Sequence, residues 1–110
     1  MKAPLVYIIV LNYNGIGWLK ACLTSLMATR YNNFKVLLVD NNSTDGSTDF
    51  VQTAFRGVEI VQNNFNLGFS KGNNVGIEQA LSAGADYVVL LNPDTKVTPD
   101  WLGKIIEVAE

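Results

Sequence analysis

The chain has 110 residues, with 8 Lys and Arg, 10 Asp and Glu, and a formal net charge of −2. This length supports one domain. A composition that is 48% hydrophobic and 16% charged is typical of a globular protein and not of a disordered one. The small acidic excess provides no basic surface for a phosphate backbone, so we expect no nucleic-acid partner. With no His and one Cys, the chain lacks a Ser–His or Cys–His nucleophile pair, a His-ligated zinc site and an internal disulfide.

Short runs of β-branched residues alternate along the chain with segments of helical periodicity. Four runs rich in Val, Ile and Leu predict strands, and these are Val6–Leu11, Val36–Val39, Val58–Gln62 and Tyr87–Leu91. Apolar residues recur at intervals of three and four after each run, which predicts four helices. Gly84 is the predicted end of the third helix. Thr98, Pro99 and Asp100 are the predicted cap, first residue and first-turn acid of the fourth.

The predicted order βαβαβαβα indicates an α/β fold. Short connections and right-handed crossovers favour a three-layer α/β/α arrangement around a mostly parallel sheet. No repeat, low-complexity tract or linker divides residues 1–110, so we expect a single (βα)4 unit. The fourth helix runs to Glu110 without a stop signal, and we therefore interpret the chain as a fragment of a larger domain.

Asn, Asp, Gly and Ser are concentrated in the segments that follow the predicted strands. These segments are Asn12–Gly17, Asp40–Ser47, Asn63–Asn74 and Asn92–Thr95. In an open parallel sheet they all lie at the carboxyl edge, where ligands bind at the point of strand reversal. Turn chemistry alone accounts for part of this enrichment, but the connections at the opposite edge are less polar. The asymmetry therefore predicts a ligand site at the carboxyl edge.

Asp40 ends the second predicted strand and has two interpretations. In one, its carboxylate caps the following loop through the backbone amide of Asn42 or Ser43. In the other, it accepts the N3–H of uracil or thymine, which is the polar contact that a pyrimidine pocket needs. The sequence leaves both interpretations open.

The segment Asn92–Thr95 follows the fourth predicted strand and reads Asn-Pro-Asp-Thr. One interpretation is a plain turn that ends the strand. The other places Asp94 on a Mg²⁺ or Mn²⁺ ion that bridges two phosphate oxygens, because such cations bind through one or two carboxylates plus substrate phosphates. Lys71 could add positive charge near a diphosphate, although an isolated Lys is more often a solvated surface residue.

Gly68, Gly72 and Gly76 occur at intervals of four at the start of the predicted third helix. Helix–strand packing and turn geometry are one reason for small residues at these positions. Close approach of the backbone to a ligand is the other. The sequence does not distinguish between them.

Several known motifs are incomplete in this chain. Gly15–Gly17 follows the first strand, but Lys20 stands where the dinucleotide-binding fingerprint requires Gly or Ala. Asn92 stands where the phosphoaspartate hydrolases have their nucleophilic Asp. A phospho-receiver requires acids where the first and third strands here end in Asn12 and Asn63. A nucleotidyltransferase of this fold requires a basic Gly-rich loop after the first strand. Two classes of protein are kept as alternative interpretations of the chain. One is a regulatory or nucleotide-binding α/β module, and the other is a nucleotidyltransferase.

Four motifs occur in order at the ends of the predicted strands. They are NYNG, VDNNSTDGS, NLGFSKGNNVGI and LLNPDT. Together they resemble the donor-binding half of a family 2 glycosyltransferase with the GT-A fold, and the resemblance extends from Val6 to about Trp101. The combination of GFxxGNN with NPDT is similar to the rhamnosyltransferase-like branch, which implies a dTDP-linked deoxysugar donor, with a UDP-linked donor as the alternative.

The resemblance implies roles for individual residues. Asp40 contacts the pyrimidine base, Tyr13 and Asn14 lie over it, and Asp94 binds Mg²⁺ or Mn²⁺ as the second acid of the family's DxD motif. The implied nucleotide-binding set comprises Asn12, Tyr13, Asn14, Asp40, Asn42, Gly68, Gly72, Asn73 and Asn92. Two positions depart from the family's pattern, because Asn92 replaces the first Asp of DxD and Asn73 replaces an Arg that faces phosphate.

The implied activity is transfer of a sugar, with inversion, from a nucleotide-diphospho-sugar to a saccharide or lipid-linked acceptor in polysaccharide biosynthesis. No residue here is assigned as the general base, which we expect downstream of Glu110 together with the acceptor-binding half. The chain alone is then expected to bind donor weakly and to transfer nothing. The implied location is cytoplasmic, with the full-length enzyme peripheral at the inner face of the membrane. An uncovered sheet edge at Tyr87–Leu91 predicts a dimer.

Overall fold

A computed structural model describes residues 3–110, in which strands and helices alternate as predicted. The elements are β1 (Val6–Asn12), α1 (Ile16–Met27), β2 (Phe34–Asp40), α2 (Ser47–Ala54), β3 (Glu59–Gln62), α3 (Gly68–Ser82), β4 (Tyr87–Leu91) and α4 (Trp101–Ala109). The predicted domain of residues 1–110 begins with Met1 and Lys2, which lie outside the described residues. Between Val6 and Ala109 the elements follow one another without a linker.

The four strands form one parallel sheet in the order β3-β2-β1-β4. The chain moves outward from β1 to β3 and then returns to the other side of β1, so the strand order reverses between β1 and β4. Because crossovers between parallel strands are right-handed, this reversal puts α3 on the face opposite α1 and α2. The predicted α/β/α class is confirmed.

Alternate residues of β1 supply the two halves of the core. Val6, Ile8 and Val10 pack in the cluster that includes the buried faces of α1, α2 and α4, while Tyr7 and Ile9 pack in the cluster that includes α3. All five are at most 3% exposed, which explains why the strand reads as a continuous apolar run. Each buried aliphatic side chain of this kind contributes roughly 1.5–3 kcal/mol of transfer free energy.

The strand boundaries differ from the prediction by one or two residues, except at Tyr87–Leu91, which is confirmed. Strands β1 and β2 both extend to polar residues, because Asn12 and Asp40 are still paired in the ladder. Backbone pairing does not depend on side-chain polarity, so the apolar pattern could not show these last positions. Strand β3 begins at Glu59 and not at Val58, whose N–H donates to the Phe55 carbonyl in a turn (3.0 Å).

The predicted start of the fourth helix is wrong by two residues. Helix α4 begins at Trp101 with Asp100 at the cap position, because the Thr98 carbonyl accepts a turn hydrogen bond from Trp101 N–H (3.2 Å). The Pro99 carbonyl accepts from Arg30 N–H (2.9 Å), so it is held against the end of α1 and does not enter a helix. Gly84 has φ +90° just after α3, which confirms its predicted role as the helix stop.

Strand β4 lies at an edge of the sheet and pairs only with β1 among residues 3–110. Leu90 on this strand is 43% exposed. The open edge therefore agrees with the expectation from sequence, while the dimer stays a prediction. None of the helices in the described part of the chain combines the length and the hydropathy needed to cross a membrane.

Candidate functional site

A pocket lies at the carboxyl edge of the sheet, where the strand order reverses between β1 and β4. It measures about 360 Å³ and is lined by Leu11, Tyr13, Asn14, Gly15, Trp18, Asn92, Pro93 and Asp94. The structure therefore brings together four of the predicted site residues from segments that are about 80 residues apart in the sequence. Tyr13 and Trp18 are 53% and 60% exposed and supply aromatic surface. We call this the β1/β4 pocket.

A larger cavity of about 540 Å³ lies at the opposite edge, between Pro4, Asp86, Tyr87 and Glu110. Its acids are already hydrogen-bonded within the protein, because Asp86 accepts from Leu5 N–H (2.8 Å) and Glu110 accepts from the Tyr87 hydroxyl. Size alone therefore does not identify the site. The smaller β1/β4 pocket has the exposed aromatic rings of Tyr13 and Trp18 and the Asp94 carboxylate, which has no partner among residues 3–110.

Asn12 and Asp40 form a buried hydrogen-bond network with Ser43. The Asn12 amide Nδ2 donates to Asp40 Oδ1 (2.8 Å) and to Ser43 Oγ (3.2 Å), and Asn12 Oδ1 accepts from Gly15 N–H (3.1 Å). Ser43 donates to Asp40 through its hydroxyl (2.7 Å) and through its backbone N–H (2.8 Å). Asn12 and Asp40 are both fully buried. The network joins the loops that follow β1 and β2.

The capping interpretation of Asp40 is the one that the structure displays. Both carboxylate oxygens are occupied by Ser43 and Asn12, and Asp40 does not line the β1/β4 pocket. Contact between this carboxylate and a pyrimidine base stays a prediction, and because Asp40 is fully buried it requires the carboxylate to become accessible.

The loop that carries Tyr13 is attached to the loop after β2 by Asn14. Asn14 adopts a left-handed backbone (φ 53°), donates from its N–H to Ser43 Oγ (2.8 Å) and accepts from Thr44 N–H (2.8 Å). Asn tolerates this conformation better than most residues. Asn42, also left-handed (φ 64°), is exposed in the same region. Asn14 thus fixes the backbone of the loop that carries Tyr13.

Three residues outside the predicted set contribute to this edge. Ser43 is the common partner of Asn12, Asn14 and Asp40, and its signal in the sequence was its place three residues after the strand-ending Asp40. The other two are Asn41 and Asp45. Each of them has hydrogen-bond partners more than 20 residues away in the sequence, so no local pattern showed that they join separate segments.

Asp45 caps helix α1 from the neighbouring loop. Its carboxylate accepts from Ile16 N–H (3.0 Å), from Ser47 N–H (2.9 Å) and from the Ser47 hydroxyl. Gly15 at the cap position of α1 has no side chain to do this itself. Burial raises the pKa of Asp45, but the hydrogen bonds from Ser47 and Ile16 outweigh burial, so the pKa lies below its ordinary value of 3.8.

Asn41 attaches the loop after β3 to the end of β2. Its Nδ2 donates to the Gly68 carbonyl (3.1 Å), and its Oδ1 accepts from Asn63 Nδ2 (2.9 Å) and from Leu67 N–H (3.5 Å). The side chain is 2% exposed. Asn41 therefore sets the position at which α3 begins.

The glycines of α3 are explained by packing and turn geometry. A Cβ at Gly72 would come within 2.7 Å of the Leu11 side chain and 2.9 Å of the Asn41 amide, while one at Gly76 would come within 2.8 Å of Val39. Gly68 has open space around it but a φ of +82°. A nucleotide contact at Gly68 or Gly72 stays a prediction, and neither glycine needs a ligand to account for it.

Asn73 and Asn92 meet at a second, smaller pocket beside β4. It measures about 220 Å³ and is lined by Phe69, Asn73, Leu90, Leu91, Asn92 and Thr95. We call this the α3/β4 pocket. Asn92 lines both pockets, so it lies between them. Lys71 on α3 is exposed and lines neither pocket, as expected for a solvated residue.

Asp94 is exposed at the β1/β4 pocket, and no described residue forms a hydrogen bond or ion pair with its carboxylate. No group of three or more His, Cys, Asp or Glu side chains suited to a metal ion occurs within residues 3–110. A cation here would depend on Asp94 and on oxygens of a ligand. Cys22 does not take part, because burial, with the negative charge of Asp94, raises its pKa to about 11.

Comparison with known proteins identifies relatives of the whole described fold. Residues 7–110 match the profile of the family described as Glycosyl transferase family 2. An uncharacterized glycosyltransferase of Haemophilus influenzae is 26% identical over 99% of this chain and 34% of its own length. An N-acetylglucosaminyl-diphospho-decaprenol L-rhamnosyltransferase of Mycobacterium tuberculosis is 28% identical over 93% of this chain and 36% of its own. The chain spans about a third of the length of these relatives.

Solved glycosyltransferase structures share the fold. S. aureus TarS 1–349 in complex with UDP superposes with a TM-score of 0.84 at 24% identity, over 94% of this chain and 31% of that chain. The mannosyltransferase PcManGT from Pyrobaculum calidifontis, in complex with GDP-Man and Mn²⁺, has a TM-score of 0.75 at 22% identity, over 86% of this chain and 29% of that chain. The architecture is therefore that of the GT-A glycosyltransferases.

Proposed function

The chain belongs to glycosyl transferase family 2, and on that basis we propose that its β1/β4 pocket binds the nucleotide diphosphate part of a UDP- or dTDP-linked sugar. The protein would use this donor in an inverting transfer to a saccharide or lipid-linked acceptor. The observation that supports the proposal is the convergence of Tyr13, Asn14, Asn92 and Asp94 on one pocket at the strand reversal.

The chemistry of the pocket suits a nucleoside diphosphate. The half-exposed rings of Tyr13 and Trp18 offer apolar faces to a planar base, and the amides of Asn14 and Asn92 offer polar contacts at the rim. The solved relative TarS was crystallised with UDP, and its matching region superposes on nearly all of this chain. A pyrimidine nucleotide is therefore the donor class that we propose.

Divalent metal binding is proposed for Asp94. A carboxylate facing a diphosphate would repel it, so a Mg²⁺ or Mn²⁺ ion is needed to make that contact favourable. Asp94 fits this role because it is exposed and has no cation of its own among the described side chains. When bound, the ion would neutralise charge on the departing diphosphate. PcManGT was crystallised with GDP-Man and Mn²⁺ together.

No residue of this chain is proposed as the general base. Inversion requires a base on the face of the sugar opposite the leaving diphosphate. Asp100 is the acid that follows Asp94 in the sequence, but it lies at the start of α4 beside Arg30 (3.5 Å), outside both pockets. We propose that the base and the acceptor site belong to residues downstream of Glu110.

Titration of the protein with UDP, dTDP, GDP and ADP, with and without Mn²⁺, tests the proposal by NMR or calorimetry. We expect saturable binding of a pyrimidine diphosphate that Mn²⁺ strengthens and that Asp94→Asn weakens at least tenfold, since a charge-assisted contact contributes about 1.5–3 kcal/mol. Glu78→Gln is the matched control, because it removes one exposed charge from α3 outside both pockets. Equal binding by Asp94→Asn and wild type would contradict the metal site.

A further inference from the structure

The Asn73 side chain is 4% exposed, yet its amide forms no hydrogen bond to any residue in the range 3–110. Among the described residues only Thr48 Oγ1 is fully buried without a hydrogen-bond partner, so the Asn73 amide keeps contact with solvent and its hydrogen-bonding capacity is open to a ligand. Asn12 and Asn41, which are equally buried, have partners on both side-chain atoms. The Asn73 amide lines the α3/β4 pocket, where a ligand group can reach it.

The lining of this pocket contains no charged side chain. Phe69, Leu90 and Leu91 form an apolar wall, and Asn73, Asn92 and Thr95 supply two amides and one hydroxyl. Amides that both donate and accept match hydroxyl groups, whereas a diphosphate calls for a cation, and only the β1/β4 pocket has a carboxylate, that of Asp94, to hold a metal ion. A sugar ring presents hydroxyl groups at its rim and C–H groups on its faces, which suits this combination.

Size and position agree with a single sugar ring. At about 220 Å³ the α3/β4 pocket is smaller than the roughly 300–1,000 Å³ of sites for drug-sized ligands. Asn92 separates it from the β1/β4 pocket, so one ligand can extend through both, with its diphosphate beside Asp94.

We propose that the α3/β4 pocket binds the sugar ring of the donor and that the Asn73 amide hydrogen-bonds its hydroxyl groups, making Asn73 a residue that selects the sugar. This inference rests on the proposed function, since it takes the β1/β4 pocket as the diphosphate site. It assigns Asn73 to the sugar and not to the phosphate, which the resemblance alone implied for this position.

Two variants of Asn73, both tested in the presence of Mn²⁺, distinguish a contact with the sugar from a contact with the phosphate. Asn73→Leu keeps the branched shape of the side chain and removes its hydrogen-bonding groups, while Asn73→Ala removes both the branch and the hydrogen-bonding groups. We expect either variant to bind UDP within about twofold of wild type and UDP-glucose about threefold to tenfold more weakly, as for one or two neutral hydrogen bonds. The same comparison is made with dTDP and dTDP-glucose. Asn74→Ala, an exposed Asn next in sequence, is the matched control.

Thermal unfolding without ligand supplies a second readout. The Asn73 amide forms no hydrogen bond to residues 3–110, so its removal should not destabilise the fold, and Asn73→Leu should unfold at the same temperature as wild type or higher. Equal losses of affinity for UDP and UDP-glucose would overturn the proposal by placing Asn73 at the diphosphate, and unchanged affinity for both would overturn it as well. Failure of the wild type to bind either UDP or dTDP would instead overturn the proposed function itself.

Discussion

Asn12 and Asp40 are the last paired residues of β1 and β2, and the Asn12 amide donates a 2.8 Å hydrogen bond to the Asp40 carboxylate. Both side chains are fully buried, so this contact holds the two loops together beneath the β1/β4 pocket. The carboxylate of Asp40 therefore lies inside the fold, where the hydrogen-bond donors around it offset the free-energy cost of burying a polar group.

Replacing Asn12 by Ala should destabilise the protein by about 1–3 kcal/mol, because it removes a donor to a buried carboxylate and the acceptor of Gly15 N–H. Urea unfolding measures the change. Asn32→Ala, in the exposed connection after α1, is the control and should have little effect. A variant of Asn12 as stable as wild type would show that water replaces the amide at no cost.

Two glycine substitutions in helices should change stability in opposite directions. Gly76→Ala places a Cβ within 2.8 Å of Val39 and 2.9 Å of Ile9 and should destabilise by about 1–3 kcal/mol through overpacking. Gly103→Ala adds a Cβ in open space inside α4 and should stabilise by about 0.5–1 kcal/mol. Denaturant midpoints compare the two. Similar denaturant midpoints for the two variants would contradict the prediction and would mean that α3 shifts away from the sheet at little cost in free energy.

Asp45 should make the free energy of unfolding depend on pH. Its pKa is lowered in the folded protein, so it contributes stability that is fully present above its ordinary pKa of 3.8 and is lost as the pH falls through the lower folded value. The difference in melting temperature between wild type and Asp45→Ala should therefore be largest at neutral pH and shrink below about pH 4. Asp49→Ala, an exposed acid in α2, is the control. A difference that stays constant down to pH 2 would contradict the capping role.

The open edge of β4 should lead this chain to form dimers. An unpaired strand that exposes apolar side chains such as Leu90 favours pairing with a second copy. Light scattering at tens of micromolar should report a dimer that Leu90→Lys weakens. Leu81→Lys introduces the same charge on the exposed face of α3, away from the edge, as the control. A monodisperse wild-type monomer would contradict this prediction.

The strand pattern of the sequence was sufficient to predict the architecture and the edge at which Tyr13, Asn14, Asn92 and Asp94 come together. Continuous apolar runs such as Tyr87–Leu91 indicate strands that are covered on both faces, and right-handed crossovers then restrict the arrangement of the helices. Polar segments after each strand consequently lie at one edge. The start of α4 could not be predicted in the same way, because the Pro99 carbonyl is held by Arg30, far away in the sequence.

The sequence by itself determined that the asparagines concentrate at the carboxyl edge, since strand order and handedness follow from local hydrophobic pattern. Only the tertiary structure decided what each of them does. Asn12 bonds to a residue 28 positions away and Asn41 to one 27 positions away, while Asn73, buried just as deeply, bonds to none of residues 3–110. Hydrogen-bond partners are brought together by the packing of the sheet, so two of these three identical side chains acquire structural functions and the third has no partner among residues 3–110.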